Sequence, residues 1–223
     1  GKPSKNLPKD LKSQIGVVFD GSNLHDNLTP ANINTIMNNI YPNWNEKAFC
    51  EYLDRFNLPK NTKFKELSRG MKMKLSIAIA LSHNSKLLIL DEATSGLDPM
   101  VRNEILDIFM DFIQDEEHTI LLSSHIISDI EKIADYVTFI HKGKIVFSEN
   151  KDDLIYQHGV IRCRKEDVKK IDSSYVVGIR ENDFGAEVLI KNVNTFKRKN
   201  RKLITFRNKR PVLSFECIHI FYQ

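Results

Sequence analysis

The sequence predicts an α/β fold, in which a largely parallel sheet lies against helices and is followed by a small C-terminal α+β region. Short apolar runs of strand length alternate with segments of helical periodicity, in the order strand, helix, strand, helix, strand. The runs lack polar alternation, which is typical of strands covered on both faces. The composition, 41% apolar and 28% charged over 223 residues, is that of an ordinary globular protein.

The first part of the chain predicts one strand and three helices. Residues 15–19, IGVVF, form an apolar and β-branched run that enters a loop at Asp20-Gly21. Tyr41-Pro42-Asn43 separates two stretches of helical periodicity, which indicates a pair of helices in a small subdomain. The three helices are expected around residues 33–40, 49–56 and 71–83.

The middle of the chain continues the alternation. Leu87–Leu90 and Thr119–Ser123 predict two further buried strands. Asp98-Pro99 is typical of a helix N-cap followed by proline at the first helical position, so a helix is expected from there to about Gln114. A helix over 126–134 and a hairpin over 136–147, with its turn at Lys142-Gly143, complete this part.

Charge divides the chain near residue 150. Residues 1–150 hold 17 basic and 20 acidic side chains, whereas residues 151–223 hold 16 and 9. Recognisable motifs also end near residue 150, and this coincidence predicts a domain boundary there. Beyond it, short strands are expected over 160–163, 175–179 and 186–190, and an amphipathic segment over 213–222.

Four short motifs follow one another in the chain and carry the candidate chemistry. They are LSRGM at 67–71, LLILDE at 87–92, SGLD at 95–98 and Ser-His at 124–125. A buried strand that ends in two carboxylates places both at the carboxyl edge of a parallel sheet, where ligands of α/β proteins bind. There Asp91 is suited to hold Mg²⁺ through water, and Glu92 to orient or deprotonate an attacking water.

In this order the motifs resemble those of the ATP-binding cassette, the ATPase subunit of ABC transporters, over about residues 1–150. LSRGM resembles the signature motif, LLILDE the Walker B strand, SGLD the D-loop and His125 the switch histidine. VVFDGSNLHDNLT resembles the Q-loop. The resemblance implies a P-loop NTPase-like core with an inserted helical subdomain. The expected divisions are 1–20, core remnant with the Q-loop strand; 21–70, helical subdomain; 71–150, α/β core; and 151–223, basic accessory region.

The resemblance also implies a role for each motif residue. Glu92 and His125 are the expected catalytic residues, and Asp91 and Asp20 the expected metal ligands. The residues expected to contact the nucleotide are Ser68, Arg69, Gly70, Asp98 and Asp20. In the family the signature serves the ATP held by a second subunit, so Ser68 and Asp98 are expected at a dimer interface. A hydroxyl, a close backbone approach and a helix N-terminus at Ser68–Gly70 suit a phosphate. For Asp98 a plain N-cap is an equally good interpretation, and the two roles are compatible.

The sequence departs from the family pattern at four of these motif positions. Arg69 stands where the signature usually has glycine, and Met71 where it has glutamine. Asp20 stands where the Q-loop has glutamine. This departure leaves open whether the loop couples the nucleotide to a membrane partner. Ala93 replaces the proline after Walker B, with little chemical consequence.

A phosphate-binding loop of the form GxxxxGK[ST] is not found before Ile15, and the aromatic residue that stacks on adenine is also missing. Either the sequence is part of a longer chain that carries the loop, or it is a natural short form that cannot bind ATP in its own loop. We expect the former, because Asp91, Glu92 and His125 all serve such a loop. By itself the chain is expected to be inactive.

The function implied is ATP binding and hydrolysis that drives export through a separate transmembrane permease in a bacterium. The expected cofactors are ATP and Mg²⁺, and the expected location is the inner face of the cell membrane. The expected partners are the permease and a second ATP-binding subunit. The alternative is a degenerate cassette that contributes only its signature to a partner's site. A protein of this family acting on ribosomes or DNA usually needs two cassettes or a coiled coil, and the sequence has neither.

The end of the chain is strongly basic, with eight Lys and Arg residues in the fourteen positions 197–210. A solvated basic face accounts for this pattern most simply. If the run binds a partner, anionic lipid fits a subunit that works beside a bilayer better than nucleic acid does.

Overall fold

In the computed structural model, residues 7–21 and 24–199 are described. By their contacts they form two compact units, one ending at Ile126 and the other beginning at Ile127. The predicted run of basic residues, apart from Lys197–Lys199, and the predicted amphipathic end lie outside the described residues. The predicted divisions at residues 20, 70 and 150 remain predictions.

The first unit is built on a parallel three-stranded sheet in the order β1-β2-β3, as the α/β prediction requires. The strands are β1, Ile15–Val18; β2, Leu87–Asp91; and β3, Thr119–Ser123. Parallel pairing brings the carboxyl ends of all three strands to one edge. The buried residues of the central strand are Leu88 and Leu90, each about 1% exposed. The prediction that β3 is a buried strand was wrong, because its residues alternate between exposed and half-buried and Leu121 is 61% exposed.

Helices of the first unit follow the apolar periodicity of the sequence. Their bounds are α1, Lys9–Lys12; α2, Pro30–Ile40; α3, Glu46–Arg55; α4, Arg69–Leu81; and α5, Pro99–Phe112. A 3₁₀ turn covers Phe64–Glu66. The prediction of α4 was wrong at its start, because the helix begins at Arg69 and not near Met71. Ser68 caps it, and this local hydrogen bond draws Arg69 and Gly70 into the first turn.

Helix α4 packs against β1 and α3. The contact with β1 is close at Gly16, where a Cβ would stand 2.7 Å from both the backbone oxygen of Ala80 and a methyl group of Leu88. Only glycine fits there without displacing the helix or the strand. Position 16 therefore sets how near the last turn of α4 lies to the sheet.

The helical pair α2 and α3 is capped by its own sequence. Thr29 and Asn32 form a reciprocal capping box, and the Asn45 side chain accepts from the N–H of Ala48. Between the two helices, Tyr41 stacks on the buried ring of His83, with centroids 4.2 Å apart. The Nδ1 of His83 lies 2.9 Å from the backbone oxygen of Ser13. Interpreting His83 as a packing residue is therefore confirmed.

The second unit has a hairpin and a separate antiparallel sheet in the order β6-β8-β7. The strands are β4, Tyr136–His141; β5, Lys144–Asn150; β6, His158–Cys163; β7, Val176–Asn182; and β8, Gly185–Lys191. The helices are α6, Ile127–Ile133; α7, Lys151–Gln157; and α8, Val193–Lys199, with a 3₁₀ turn at Lys165–Lys170. Both hairpin turn residues, Lys142 and Gly143, have positive φ, as predicted for a tight turn.

The second unit buries its own core. One cluster joins Ile161, Val188 and Ile190 of the sheet to Phe196 of α8. The rings of Phe196 and Tyr175 meet edge-on, with their centroids 5.3 Å apart. The mixture of antiparallel sheet and short helices confirms the predicted α+β accessory region. Among the residues that the structure describes, no helix combines the length and apolarity needed to cross a bilayer.

Candidate functional site

The carboxyl edge of the parallel sheet gathers the first half of the candidate site. Asp91 ends β2 and pairs in register with Ser123, which ends β3. The Ser123 hydroxyl donates a hydrogen bond of 2.6 Å to Asp91 Oδ1. This bond fixes one carboxylate oxygen and leaves the exposed Asp91 side chain with a second oxygen as an acceptor.

Glu92 follows Asp91 in an unusual backbone conformation. Its φ is +51°, a left-handed value that non-glycine residues other than Asn and Asp seldom adopt. The Glu92 N–H is held by the Ser123 carbonyl at 3.1 Å, and the Ser123 hydroxyl lies 3.3 Å away. Such backbone strain costs on the order of 1–3 kcal/mol and concentrates at functional sites. Sequence patterns gave no signal of it.

The Glu92 side chain meets His125, which comes two residues after β3. His125 Nδ1 lies 2.6 Å from Glu92 Oε2, but the approach lacks the alignment of a hydrogen bond. Oε2 is buried and has no hydrogen-bond partner among the described residues. The imidazole is the more open group, with its side chain 65% exposed against 29% for Glu92. The structure thus brings Glu92 and His125, the two predicted catalytic residues, into direct contact. We call Asp91, Glu92, Ser123 and His125 the carboxyl edge.

The second half of the candidate site lies at the start of α4. The Ser68 side chain accepts from the N–H of Met71 at 3.2 Å. Gly70 lies in the first helical turn, where a Cβ would meet the side chain of Val101 only at 3.6 Å, an ordinary contact. Packing within the described residues does not require glycine here, so Gly70 leaves the helix start open to a ligand.

Asp98 caps α5 as one of the two interpretations predicts. Its Oδ1 accepts from the N–H groups of Met100 at 3.1 Å and Val101 at 3.0 Å. The capping role is confirmed, and the role at a dimer interface remains a prediction. Ser68, Arg69 and Gly70, together with Asp98, form what we call the signature end, and they line a common cleft of about 300 Å³.

Asp20 and Arg69 are brought to each other. Arg69 Nη2 donates to Asp20 Oδ1 at 2.9 Å, and both side chains are about half exposed. Sequence reasoning assigned the two residues to the nucleotide separately and missed their pairing. A signal was available, because both are departures from the family pattern and they carry opposite charges.

A divalent cation fits the carboxyl edge only in the mode that Mg²⁺ prefers. Among the described residues, no group of three or more His, Cys, Asp or Glu side chains could enclose a metal. Mg²⁺ is usually bound by one or two carboxylates together with substrate phosphates and water. Asp91, with one oxygen uncommitted, supplies such a carboxylate. The Asp20 carboxylate already receives a hydrogen bond from Arg69.

Comparison with known proteins gives consistent matches. The family model described as "ABC transporter" matches residues 2–95. A lantibiotic transport ATP-binding protein, SrtF of Streptococcus pyogenes, is 36% identical over 146 residues, covering 65% of this chain and 62% of that protein. The bacitracin transport ATP-binding protein BcrA of Bacillus licheniformis is 36% identical over 160 residues, covering 70% and 50%. The ABC transporter ATP-binding protein NatA of Bacillus subtilis is 35% identical over 167 residues, covering 67% and 66%. The chain thus spans between half and two thirds of these relatives.

Solved structures show the same fold. A dimeric ATP-binding cassette in a post-hydrolysis state with ADP and Pi has a TM-score of 0.57 at 23% identity, covering 66% of this chain and 69% of that one. A metal-chelate type ABC transporter in an inward-facing conformation has a TM-score of 0.55 at 18% identity, covering 82% and 74%. At these identities the likeness concerns the fold, and it confirms the predicted P-loop NTPase-like core.

Proposed function

We propose that this chain, whose residues 2–95 belong to the ABC transporter family, is the ATP-binding and ATP-hydrolysing subunit of a bacterial exporter. It energises a separate transmembrane permease and works at the cytoplasmic face of the membrane. Relatives named for lantibiotic and bacitracin transport support an exporter of the drug and peptide type. The alternative of a degenerate cassette finds no support in these relatives, which are named as ATP-binding proteins.

The observation that carries the proposal is the meeting of Glu92 and His125 beside Asp91. Hydrolysis forms a bond from water oxygen to the terminal phosphorus and breaks the bond to the leaving phosphate oxygen. The Glu92 carboxylate, whose Oε2 lies 2.6 Å from His125 Nδ1, accepts a hydrogen bond from the attacking water and orients it. His125, with its more exposed ring, reaches toward the terminal phosphate and donates a hydrogen bond to it.

Asp91 is the residue that would hold Mg²⁺, directly or through water. Bound there with the phosphates, Mg²⁺ would neutralise charge that develops on the transferring group. Ser123 keeps the Asp91 carboxylate in place through its 2.6 Å hydrogen bond. We propose that a glycine-rich phosphate loop completes this half of the site.

The signature end serves the nucleotide of a second ATP-binding subunit. The N-terminus of α4 directs backbone N–H groups and a partial positive charge outward, which suits a terminal phosphate. Ser68, Arg69 and Gly70 lie at that helix start, and Asp98 lines the same cleft. Two subunits therefore complete two sites, each with a carboxyl edge from one chain and a signature end from the other.

The experiment that tests the function is Glu92→Gln in the protein isolated with its native partners. We expect ATP hydrolysis to fall by on the order of 10²–10⁴ because the proton acceptor is lost. ATP binding should remain, and an ATP-dependent dimer should accumulate in size-exclusion chromatography. Glu116→Gln, which alters an exposed carboxylate on the surface, is the matched control and should hydrolyse ATP normally. Unchanged turnover in Glu92→Gln would overturn the assignment.

A further inference from the structure

Arg69 connects three segments that are far apart in the sequence. Its guanidinium donates to Asp20, just beyond the end of β1, at 2.9 Å. It also lies directly over Gly96 in the loop between β2 and α5. A Cβ at Gly96 would stand 2.5 Å from Arg69 Nη1 and 2.7 Å from Cζ, inside any permitted contact. The absence of a side chain at Gly96 therefore leaves the space that the Arg69 guanidinium occupies.

This arrangement does little for folding. The Arg69 and Asp20 side chains are 57% and 46% exposed, and ion pairs so open to water contribute little to stability. The guanidinium is planar, and its fixed fork of donors suits a role in orienting groups. The contact instead fixes the position of the start of α4, because Arg69 lies between Ser68 and Gly70 there.

The pairing with Arg69 also gives the Asp20 carboxylate a structural role. This carboxylate stands near the carboxyl edge, because β1 runs parallel to β2 and ends beside it. Arg69 occupies one of its oxygens and compensates its charge. A carboxylate held in this way fixes the position of the Arg69 guanidinium.

We propose that Arg69 is a positioning residue, held by Asp20 and seated on Gly96, which fixes the signature end for the nucleotide of the second subunit. In this arrangement Asp20 acts through Arg69 and does not bind Mg²⁺. The inference rests on the proposed function, because the group being positioned is the phosphate-facing start of α4.

A double-mutant cycle of Asp20→Asn, Arg69→Gln and the combined variant tests this role. We expect each single change to lower kcat for ATP hydrolysis by on the order of 10-fold to 10²-fold, as a misplaced binding group does. The combined variant should be no worse than either single one, since both remove the same contact. KM for ATP and the Mg²⁺ concentration for half-maximal activity should not change. Exchanging the charges, Asp20→Arg with Arg69→Asp, should restore part of kcat.

Hydrogen exchange without nucleotide provides a readout independent of activity. Backbone amides of residues 67–72 should exchange faster in Asp20→Asn than in the unaltered protein, because the helix start is no longer held. Asp54→Asn is the matched control: it breaks the exposed Lys60–Asp54 pair, 3.0 Å long, and should change neither exchange at 67–72 nor kcat. Thermal unfolding of every variant identifies any that fails to fold. If Arg69→Gln fails to fold, Arg69→Lys replaces it, because lysine keeps the charge without the guanidinium fork. Its kcat is expected to lie between that of the unaltered protein and that of Asp20→Asn.

Two results would overturn the inference. Additive losses in the cycle would show that the two residues act separately, and a raised Mg²⁺ requirement in Asp20→Asn alone would make Asp20 a metal ligand. Failure of the proposed function is distinguishable, because the unaltered protein would then hydrolyse no ATP or would be insensitive to Glu92→Gln.

Discussion

The two halves of the candidate site use their polar groups differently. At the signature end, Ser68 and Asp98 accept from backbone N–H groups at the starts of α4 and α5, and Arg69 is paired with Asp20. At the carboxyl edge, Glu92 holds a left-handed backbone and a buried oxygen without a hydrogen-bond partner among the described residues. The polar groups of the signature end are thus paired within the fold, whereas the carboxyl edge retains backbone strain at Glu92.

This difference separates positioning from chemistry. Caps keep helix starts in place whether or not a ligand is bound, and each contributes about 1 kcal/mol to stability. Backbone strain costs stability, so it concentrates at sites that function requires. Substitutions at the carboxyl edge should therefore change activity more than stability, and those at the cap residues should change stability as well.

The largest effect is expected from His125→Ala. Loss of the imidazole should lower ATP hydrolysis by on the order of 10²–10⁴, as for other positioned acid–base groups. The free energy of unfolding should change by less than about 0.5 kcal/mol, because the side chain is 65% exposed. Steady-state hydrolysis and urea denaturation measure the two quantities. Glu116→Ala, at an exposed side chain outside the motifs, is the control. A stability loss in His125→Ala as large as that of a core substitution would contradict the comparison.

The second largest effect is expected from Glu92→Gly, which should abolish ATP hydrolysis and increase stability. Glycine adopts positive φ freely, so relief of the strain at φ +51° should raise the free energy of unfolding by about 1 kcal/mol while hydrolysis is lost. Chemical denaturation measures the gain. Glu92→Asn, in which the residue tolerates the same conformation, should show part of it. A destabilised glycine variant would mean that the backbone at position 92 is not strained.

Asp98→Ala tests the satisfied half. Removal of the cap should destabilise the protein by about 1 kcal/mol, because the N–H groups of Met100 and Val101 lose their acceptor. Asp98→Asn keeps the acceptor and should restore stability in thermal unfolding. If Asp98 also serves a dimer interface, the asparagine variant will still hydrolyse ATP more slowly, whereas normal hydrolysis would limit Asp98 to capping.

The smallest effect concerns a histidine that contrasts with His125. Burial lowers the pKa of His83, so the unfolded chain binds a proton more readily than the folded one. Stability from His83 is fully present above the unfolded pKa of about 6.5 and is lost as pH falls through the lowered folded pKa. Thermal unfolding between pH 7.5 and 5.5 should show this decline. His83→Phe keeps the stacking on Tyr41 and should reduce the slope; an unchanged slope would assign it to other groups.

Much of the fold was predictable because it is encoded locally. Apolar runs located β1, β2 and β3, and Asp98-Pro99 located the start of α5. The parallel arrangement then placed Asp91 and Glu92 at one edge. The start of α4 was misplaced because a serine N-cap lies within the motif and was not weighed as a helix boundary.

What could not be predicted depends on contacts between distant segments or on backbone angles. Asp20 and Arg69 are 49 positions apart and meet only because α4 lies along β1. Likewise, the positive φ of Glu92 accompanies a hydrogen bond from its N–H to the Ser123 carbonyl of β3. Neither relation leaves a periodic pattern in the sequence.

Close packing at Gly16 has a mechanical consequence. The last turn of α4 bears on β1 there, and its first turn is tied by Arg69 to Asp20 beyond the other end of the same strand. Helix α4 has thirteen residues and is about 20 Å long, so these two contacts lie at opposite ends of it. The two ends of α4 are therefore each held against the β1 segment, the last turn at Gly16 and the first turn at Asp20.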